Sequence, residues 1–292
     1  MTPVALLRQW LEARLPADAS AWLREAAARL EGGRGDRETE RDLYRDISLV
    51  ARRCGKAPLG LSADERAAAQ AARTGWDPSA WTVDQAARIV LLLATGAEDE
   101  RFAARLDQLC ATADVDELVA FYRGLPLYPD ASRHRARAAE GVRSNMKVVF
   151  EAVAHHSPYA AEQLPEEAWN QMVLKTLFVG SALHPVQGLD ARANPALARM
   201  LSDYAHERWA ARRTISPELW RCIGPFAAGG VLLQDLARVL DTGTPPERAA
   251  ALLALREAPG DEARALRERH AARARRVAEQ GIGWATLSRF NE

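Results

Sequence analysis

The sequence is divided into short amphipathic segments whose ends carry helix-capping residues. Thr82 with Gln85, and Asp114 with Glu117, have the spacing of a capping box. Asn194 comes directly before Pro195, which is a favoured residue in the first turn of a helix. Convincing runs of alternating polar and apolar residues are missing, so strands are not expected. The chain is therefore predicted to be all-α, with no sheet and about thirteen short helices.

Short helices joined in series by turns are typical of an irregular α-solenoid or helical bundle. The segment 83–123 has three such helices with small loops and is HEAT-like, although no fixed repeat period is present. Three regions are predicted to form one continuous domain: an N-terminal helical region 1–140, a central segment 141–226 and a C-terminal helical cap 227–292. Individual helices are predicted, among others, at 36–53, 98–111, 217–223, 226–241 (with a weak point at Gly229-Gly230) and 261–280.

Charge and cysteine usage exclude several classes of protein. The 39 basic and 39 acidic residues balance, which argues against a nucleic-acid binder or a polybasic membrane-surface protein. The longest aliphatic run, 89–94, is too short to span a bilayer, so no integral membrane segment is predicted. The N-terminus does not have the pattern of a signal peptide. Cys54, Cys110 and Cys222 lie far apart, which indicates reduced thiols and a cytoplasmic location.

Residue types that the chain uses sparingly are concentrated in one segment. Only three of the 39 basic residues are Lys, and the chain is built mostly from Ala, Arg, Leu, Glu and Asp. Of the seventeen Lys, Asn, Met and His residues, twelve lie within 144–226. This concentration indicates that the segment needs chemistry that the common residues do not supply.

Three predicted helices of this segment each carry a polar line along an otherwise apolar surface. Such lines have three possible explanations: a solvated face with ion pairs between residues four apart, a buried polar network, or a ligand, metal or catalytic site. The lines consist of Lys147, Glu151 and His155 on 145–156; Glu167, Gln171 and Lys175 on 166–179; and Asp203, His206 and Glu207 on 196–213.

The longest stretch without a helical pattern is 180–193, and long ordered loops in helical proteins often carry function. Its polar residues join those of the three helices, together with aromatic residues that are suited to the walls of a ligand site. The candidate binding residues are Asn145, Lys147, Glu151, His155, His156, Tyr159, Trp169, Asn170, Gln171, Lys175, His184, Asp190, Arg192, Asp203, Tyr204, His206, Glu207 and Trp209.

Motifs for metal or cofactor binding are weak. Glu151 with His155, and Asp203 with His206, are spaced so that each pair lies on one helix face, as in di-metal bundles. The usual bundle motif is Glu-x-x-His, used twice, which neither pair matches. Walker, GxGxxG and GxSxG motifs are absent from the sequence. No metal and no cofactor are therefore predicted, and no catalytic residue is assigned.

Five stretches carry a recognisable pattern: NMKVVFEAVAHHSPY at 145–159, AWNQMVLK at 168–175, GLDARAN at 188–194, DYAHERWA at 203–210 and PELWR at 217–221. Together they resemble the EboA family of bacterial proteins over about 145–226. Ser157 departs from the pattern, which has Asn before the Pro-Tyr pair. The residues before 140 and after 226 carry no motif that matches the family.

The resemblance implies a role in metabolite traffic. Genes of EboA-like proteins lie in a cluster that also encodes a UbiA-like prenyltransferase, a TatD-like hydrolase and a TIM-barrel epimerase-like protein. The cluster is linked to moving secondary-metabolite precursors toward the periplasm. The expected partners are therefore a small-molecule metabolite and other proteins of the cluster, whereas the oligomeric state stays open. The resemblance transfers no catalytic residues.

Three hypotheses follow from the residues and the resemblance. The first is a non-enzymatic binding or adaptor protein whose site is built by 145–156, 166–179, 184–194 and 196–213. The second is an enzyme, with or without a metal, that uses His155 or His206 as a general base and Lys147 or Lys175 as an electrostatic stabiliser. The third is a scaffold that docks through 264–276, where six Arg stand against one Glu.

Overall fold

The computed structural model of the chain describes residues 1–33, 37–96 and 101–289. It separates into two compact units, Met1–Leu164 and Pro165–Glu292. Regular structure in the described ranges is helical, apart from an isolated antiparallel bridge between Pro58 and Thr82. The predicted all-α fold is confirmed. The HEAT-like arrangement of 83–123 and the three regions drawn from the sequence stay predictions.

The first unit is built from ten α-helices within the described residues. The capping boxes predicted at Thr82–Gln85 and Asp114–Glu117 are confirmed, and each fixes the first turn of its helix. Residue 36 of the predicted helix 36–53, and residues 98–100 of the predicted helix 98–111, lie outside the described residues. The helices are α1 (Pro3–Arg14), α2 (Ala17–Glu31), α3 (Arg37–Cys54), α4 (Ala63–Ala72), α5 (Val83–Ala94), α6 (Phe102–Thr112), α7 (Val115–Arg123), α8 (Arg135–Arg143), α9 (Lys147–Ala154) and α10 (Tyr159–Gln163), with 3-10 turns at Pro78–Ala80, Leu125–Leu127 and Ala131–His134.

Helix α5 forms the centre of the first unit. Nearly every side chain of this helix is buried, and α1, α2, α3 and α7 pack around it. Two charges are buried with it: Arg88 Nη1 donates to Asp84 Oδ2 at 2.5 Å, and Thr82 Oγ1 donates to the other oxygen of the same carboxylate at 2.5 Å. Because a buried charge is tolerated only when it is paired and hydrogen-bonded, this pair explains how an Arg sits inside an apolar helix.

The second unit is arranged around α14. The middle of this helix, 249–255, is fully buried, and α13, α15, α16 and three 3-10 segments pack on it. At Gly224 a Cβ atom would lie 2.4 Å from the backbone oxygen of Ala254, so only glycine permits this close approach. The elements are α11 (Glu166–Phe178), α12 (Pro195–Ala210), α13 (Gly230–Thr242), α14 (Pro245–Glu257), α15 (Asp261–Arg269) and α16 (Ala271–Glu279), with 3-10 segments at Pro217–Cys222, Gly224–Phe226 and Trp284–Arg289.

Three predicted helices of this unit differ from the structure. The predicted helix 261–280 is broken at His270, which lets both α15 and α16 pack on α14. The predicted helix 217–223 is the 3-10 segment Pro217–Cys222. The predicted helix 226–241 begins only at Gly230, whose φ of 62° is a left-handed conformation that glycine adopts without strain.

The three cysteines of the chain lie in buried surroundings. Cys54, Cys110 and Cys222 are all buried and free of disulfides. Burial raises the pKa of the Cys54 thiol to about 11 and the pKa of the other two to about 12, so all three remain thiols at neutral pH. None of the described helices combines the length and the apolar character of a membrane span.

Candidate functional site

The candidate residues are distributed over both compact units. The first unit holds Asn145, Lys147, Glu151, His155, His156 and Tyr159. The second unit holds Trp169, Asn170, Gln171, Lys175, His184, Asp190, Arg192, Asp203, Tyr204, His206, Glu207 and Trp209. A common site for all of them stays a prediction. Within each unit, the candidate residues make distinct contacts.

The polar line of α9 begins at the surface. Asn145 and Lys147 are exposed, and Lys147 Nζ lies 3.7 Å from Glu151 Oε1 one helical turn on. His155 directly follows the helix, and its N–H donates to the backbone oxygen of Glu151 at 2.9 Å. The ion pair between residues four apart is the arrangement expected of a solvated helix face.

His156 and Tyr159 connect the end of α9 to other parts of the first unit. His156 has a φ of 55°, and its Nδ1 lies 2.9 Å from Asp77 Oδ2. The hydrogen bond from His156 and those from Ser79 hold the pKa of Asp77 well below its ordinary value, although partial burial opposes this shift. Tyr159 is fully buried, its hydroxyl donates to Ala131 O at 2.5 Å, and burial raises its pKa. Both residues thus have structural contacts.

A second group of candidates joins α11 to the start of α12. The side-chain amides of Asn170 and Asn194 bond to each other in both directions, at 3.2 and 2.9 Å. Asn194 also caps α12 by accepting the Leu197 N–H at 2.9 Å, which confirms the predicted helix start. The Arg192 guanidinium lies 4.8 Å from the ring centre of the fully buried Trp169. These residues fix the end of the 180–193 loop on α11 and α12.

His206 belongs to a polar group between α12 and α13. Its Nε2 lies 2.6 Å from Asp235 Oδ1, and the Ser202 hydroxyl donates to Asp235 Oδ2 at 2.6 Å. Asp235 is buried. Trp209 lies beside His206 and stacks on Trp220, with 5.8 Å between the ring centres. The Arg238 guanidinium lies 4.0 Å from the ring centre of Trp209. This group fastens two helices through a shared carboxylate and a cation–π contact.

Other candidates of the second unit lie nearer the surface. Burial lowers the pKa of the partly buried Lys175 ammonium. The Arg208 guanidinium lies 5.9 Å from the ring centre of Tyr204. Gln171, Asp203 and Glu207 are exposed, as are His184, Asp190 and His206.

His184 lines a cavity, and it is held by a residue outside the candidate set. Glu218, on the 3-10 segment Pro217–Cys222, is almost fully buried. Its carboxylate accepts the N–H of Leu183 at 2.7 Å, the N–H of His184 at 2.7 Å and the Nδ1–H of His184 at 3.0 Å. Further along the loop, Asp190 makes a two-point ion pair with Arg221, at 2.7 Å for both bonds. The same 3-10 segment thus anchors the 180–193 loop at two places.

The cavity has a volume of about 510 Å³ and lies within the second unit. Apolar side chains form much of its wall, and hydroxyl, imidazole and carboxylate groups complete it. Its lining residues are Ala182, His184, Thr214, Ile215, Ser216, Pro217, Glu218, Thr244, Pro246, Glu247, Trp284, Ala285 and Leu287. A mostly apolar pocket of this size with a few polar groups is typical of a small-molecule site.

Sequence reasoning missed the acids that organise the histidines. Glu218 lies in the family motif at 217–221 but was not a candidate residue. Asp235 lies outside the central segment 141–226. One signal in the sequence was that Glu218 is the only acid between Ile215 and Gln234, in a mostly apolar stretch. Asp235 gave no comparable signal, because one acid on an amphipathic helix is ordinary.

The described residues contain no group of three or more His, Cys, Asp and Glu side chains placed to hold a metal ion. Of the weak metal candidates, Glu151 and His155 belong to the first unit, and Asp203 and His206 to the second. His206 is engaged with Asp235. The expectation that no cofactor is bound stays a prediction.

Part of the Arg-rich stretch 264–276 makes contacts that stabilise the fold. Arg267 Nη1 donates to the backbone oxygens of Leu255, Arg256 and Ala258 at 2.8, 3.2 and 3.1 Å. This arginine therefore caps the C-terminus of α14, where a cation is favoured by the helix dipole. Arg269, Arg275 and Arg276 are exposed.

In a comparison with known families, the model of the family described as metabolite traffic protein EboA matches residues 4–224. The match extends well before residue 145, into the helices where no motif had been recognised. Neither the curated proteins nor the solved structures provide a significant match.

Proposed function

The chain belongs to the EboA family of metabolite traffic proteins, and from that premise we propose that it is a non-enzymatic binding and adaptor protein. It holds a secondary-metabolite precursor in the cavity of its second unit. It passes this molecule between the proteins encoded in the same gene cluster, as the family resemblance implies. Three buried thiols without disulfides support a cytoplasmic place of action.

The observation that carries the proposal is the cavity of about 510 Å³ beside His184. Trp284, Ile215 and Leu287 offer it apolar surface, which favours a ligand that is poorly soluble in water. A molecule of that kind needs a protein carrier, because its apolar surface is costly to expose during transfer. Traffic is thus a function that this cavity suits.

A neutral fluorescent probe, N-phenyl-1-naphthylamine, tests whether the cavity binds apolar molecules. We expect saturable binding to the full chain at one site. Ala182→Trp, which fills the cavity from its wall, should abolish the fluorescence increase. Ala272→Trp on the exposed surface of α16 adds the same side chain outside the cavity and should leave binding unchanged. Equal binding by both variants would refute the cavity as the site.

The adaptor part of the proposal requires physical contact with the cluster proteins. Tagged full-length chain should retain at least one of them in a pull-down from cells that express the cluster. Charge reversal of the exposed Arg269, Arg275 and Arg276 distinguishes the scaffold hypothesis, since it should release partners only if that surface docks them. Retention of none of the cluster proteins would contradict the adaptor role.

An enzyme is the second candidate, and the orientation of His184 by Glu218 favours it. A carboxylate that fixes the tautomer of an imidazole in a cavity is the arrangement of a general base. This base differs from His155 and His206, the residues predicted from the sequence. Mass spectrometry of the cluster's metabolites after incubation with the protein decides the point: a changed mass would replace the carrier by an enzyme, and unchanged metabolites support the carrier.

A further inference from the structure

The tautomer of His184 is determined by its neighbours. A carboxylate accepts hydrogen bonds and does not donate them, and Glu218 already receives two backbone N–H groups. The contact of 3.0 Å between His184 Nδ1 and Glu218 Oε1 therefore places a proton on Nδ1. In the neutral ring, Nε2 then carries a lone pair and acts as a hydrogen-bond acceptor.

That lone pair is available to a ligand. His184 lines the cavity, and its side chain is 40% exposed. Within the described residues, the His184 ring forms a hydrogen bond through Nδ1, to Glu218. A ligand in the cavity thus meets an acceptor whose orientation is fixed by a buried acid.

The remaining polar groups of the wall narrow the class of ligand. Among the described lining residues none is Lys or Arg, so these residues offer no counter-charge to an anionic phosphate or carboxylate. The two acids already accept hydrogen bonds from local donors: Glu218 as above, and Glu247 Oε2 from the Thr244 N–H and hydroxyl, both at 2.7 Å. A neutral ligand leaves these bonds intact.

We infer that the cavity selects a neutral, largely apolar molecule that carries a hydroxyl group, and that this hydroxyl donates its hydrogen bond to Nε2 of His184. The inference rests on the proposed carrier function and specifies its ligand. Glu218 is then a positioning residue, because it acts on the ligand through His184.

A matched pair of probes tests this: 2-naphthol has the hydroxyl, and 2-methoxynaphthalene replaces it by a group that cannot donate. Calorimetric titration of the full chain should show 2-naphthol binding about tenfold more tightly, the effect of one hydrogen bond to a fixed acceptor. His184→Phe keeps an aromatic ring without the acceptor and should reduce the ratio to about one. His206→Phe is the matched control, since His206 does not line the cavity, and should keep the ratio of the unmodified protein.

The outcomes separate the inference from the function on which it rests. If the unmodified protein binds both probes equally well, the hydroxyl selection is wrong, and the carrier proposal stands. If it binds neither probe, the cavity does not take neutral apolar molecules, and both fail.

A measurement on the unmodified protein covers the case in which His184→Phe does not fold. In protein labelled with ¹⁵N at histidine, the His184 resonances should show the Nδ1–H tautomer. Addition of 2-naphthol should shift Nε2, and 2-methoxynaphthalene should not. An Nε2–H tautomer would overturn the inference.

Discussion

Two pairs in the second unit, His184–Glu218 and His206–Asp235, have the same chemistry and different surroundings. Glu218 also holds two backbone amides of a loop, and its histidine faces a cavity. Asp235 instead holds a serine hydroxyl of α12, and its histidine lies beside Trp209. A histidine with an acid partner is therefore not by itself a sign of a site. The two pairs differ in the other groups that the acid binds and in the surroundings of the histidine ring.

The comparison is tested most strongly by Glu218→Ala. Two backbone donors next to the cavity would lose their acceptor, and we expect the free energy of unfolding of the second unit to fall by about 3 kcal/mol. Hydrogen exchange should show lost protection at the amides of Leu183 and His184. Asp190→Ala is the control on the same loop: Asp190 is 71% exposed, so its loss should change stability by less than about 1 kcal/mol. Unchanged protection at Leu183 would show that Glu218 does not anchor the loop.

Asp235→Ala should have a smaller effect of a different kind. The buried Ser202 hydroxyl and the His206 ring would lose their partner, which we expect to cost about 2 kcal/mol in urea unfolding. Binding of 2-naphthol should stay the same, because Asp235, Ser202 and His206 are not among the residues that line the cavity. The double variant Ser202→Ala with Asp235→Ala should recover part of the loss, since no buried hydroxyl is then left without a partner. A large loss of probe binding would break the distinction between the two pairs.

The third histidine–acid pair is His156–Asp77 in the first unit. Its loss should cause the smallest change in the free energy of unfolding, and this change should depend on pH. The folded-state pKa of Asp77 is lowered, so its stabilisation is present above its ordinary pKa of 3.8 and is lost as the pH falls toward the folded value. Asp77→Asn should cost about 1 kcal/mol at neutral pH. The stability difference from the unmodified protein should shrink as the pH falls below 3.8.

Urea unfolding of the first unit at several pH values measures this difference. Asp64→Asn, an exposed first-turn position of α4, serves as the control and should show a much weaker change. A difference between Asp77→Asn and the unmodified protein that stays constant from neutral to acid pH would contradict the role of the Asp77 carboxylate.

Much of the local structure was predictable because its causes are local. Capping at Thr82, Asp114 and Asn194 uses residues three apart or fewer, and the helices there begin as predicted. The break at His270 was not predictable, because 261–280 has no strong helix breaker and the turn serves contacts with α14. Local propensity does not include that packing.

The candidate site was predicted only in part for the same reason. The sequence identified His184 and the 180–193 loop, but it grouped them with His155, His206 and the polar lines of three helices. It could not assign an acid to each histidine, because Glu218 lies 34 residues after His184 and Asp235 lies 29 after His206. Such pairs are set by how the backbone folds back on itself.

The sequence by itself determined the helical class, the family and the capped helix starts at Thr82, Asp114 and Asn194. Capping, periodicity and motif spacing act over a few residues. The tertiary structure decided which histidine faces a cavity, which acid orients it and which arginine caps a helix. Those outcomes depend on contacts between residues distant in the chain. The buried carboxylate of Glu218 illustrates this: its donors come from a loop that only the packing of the second unit brings to it.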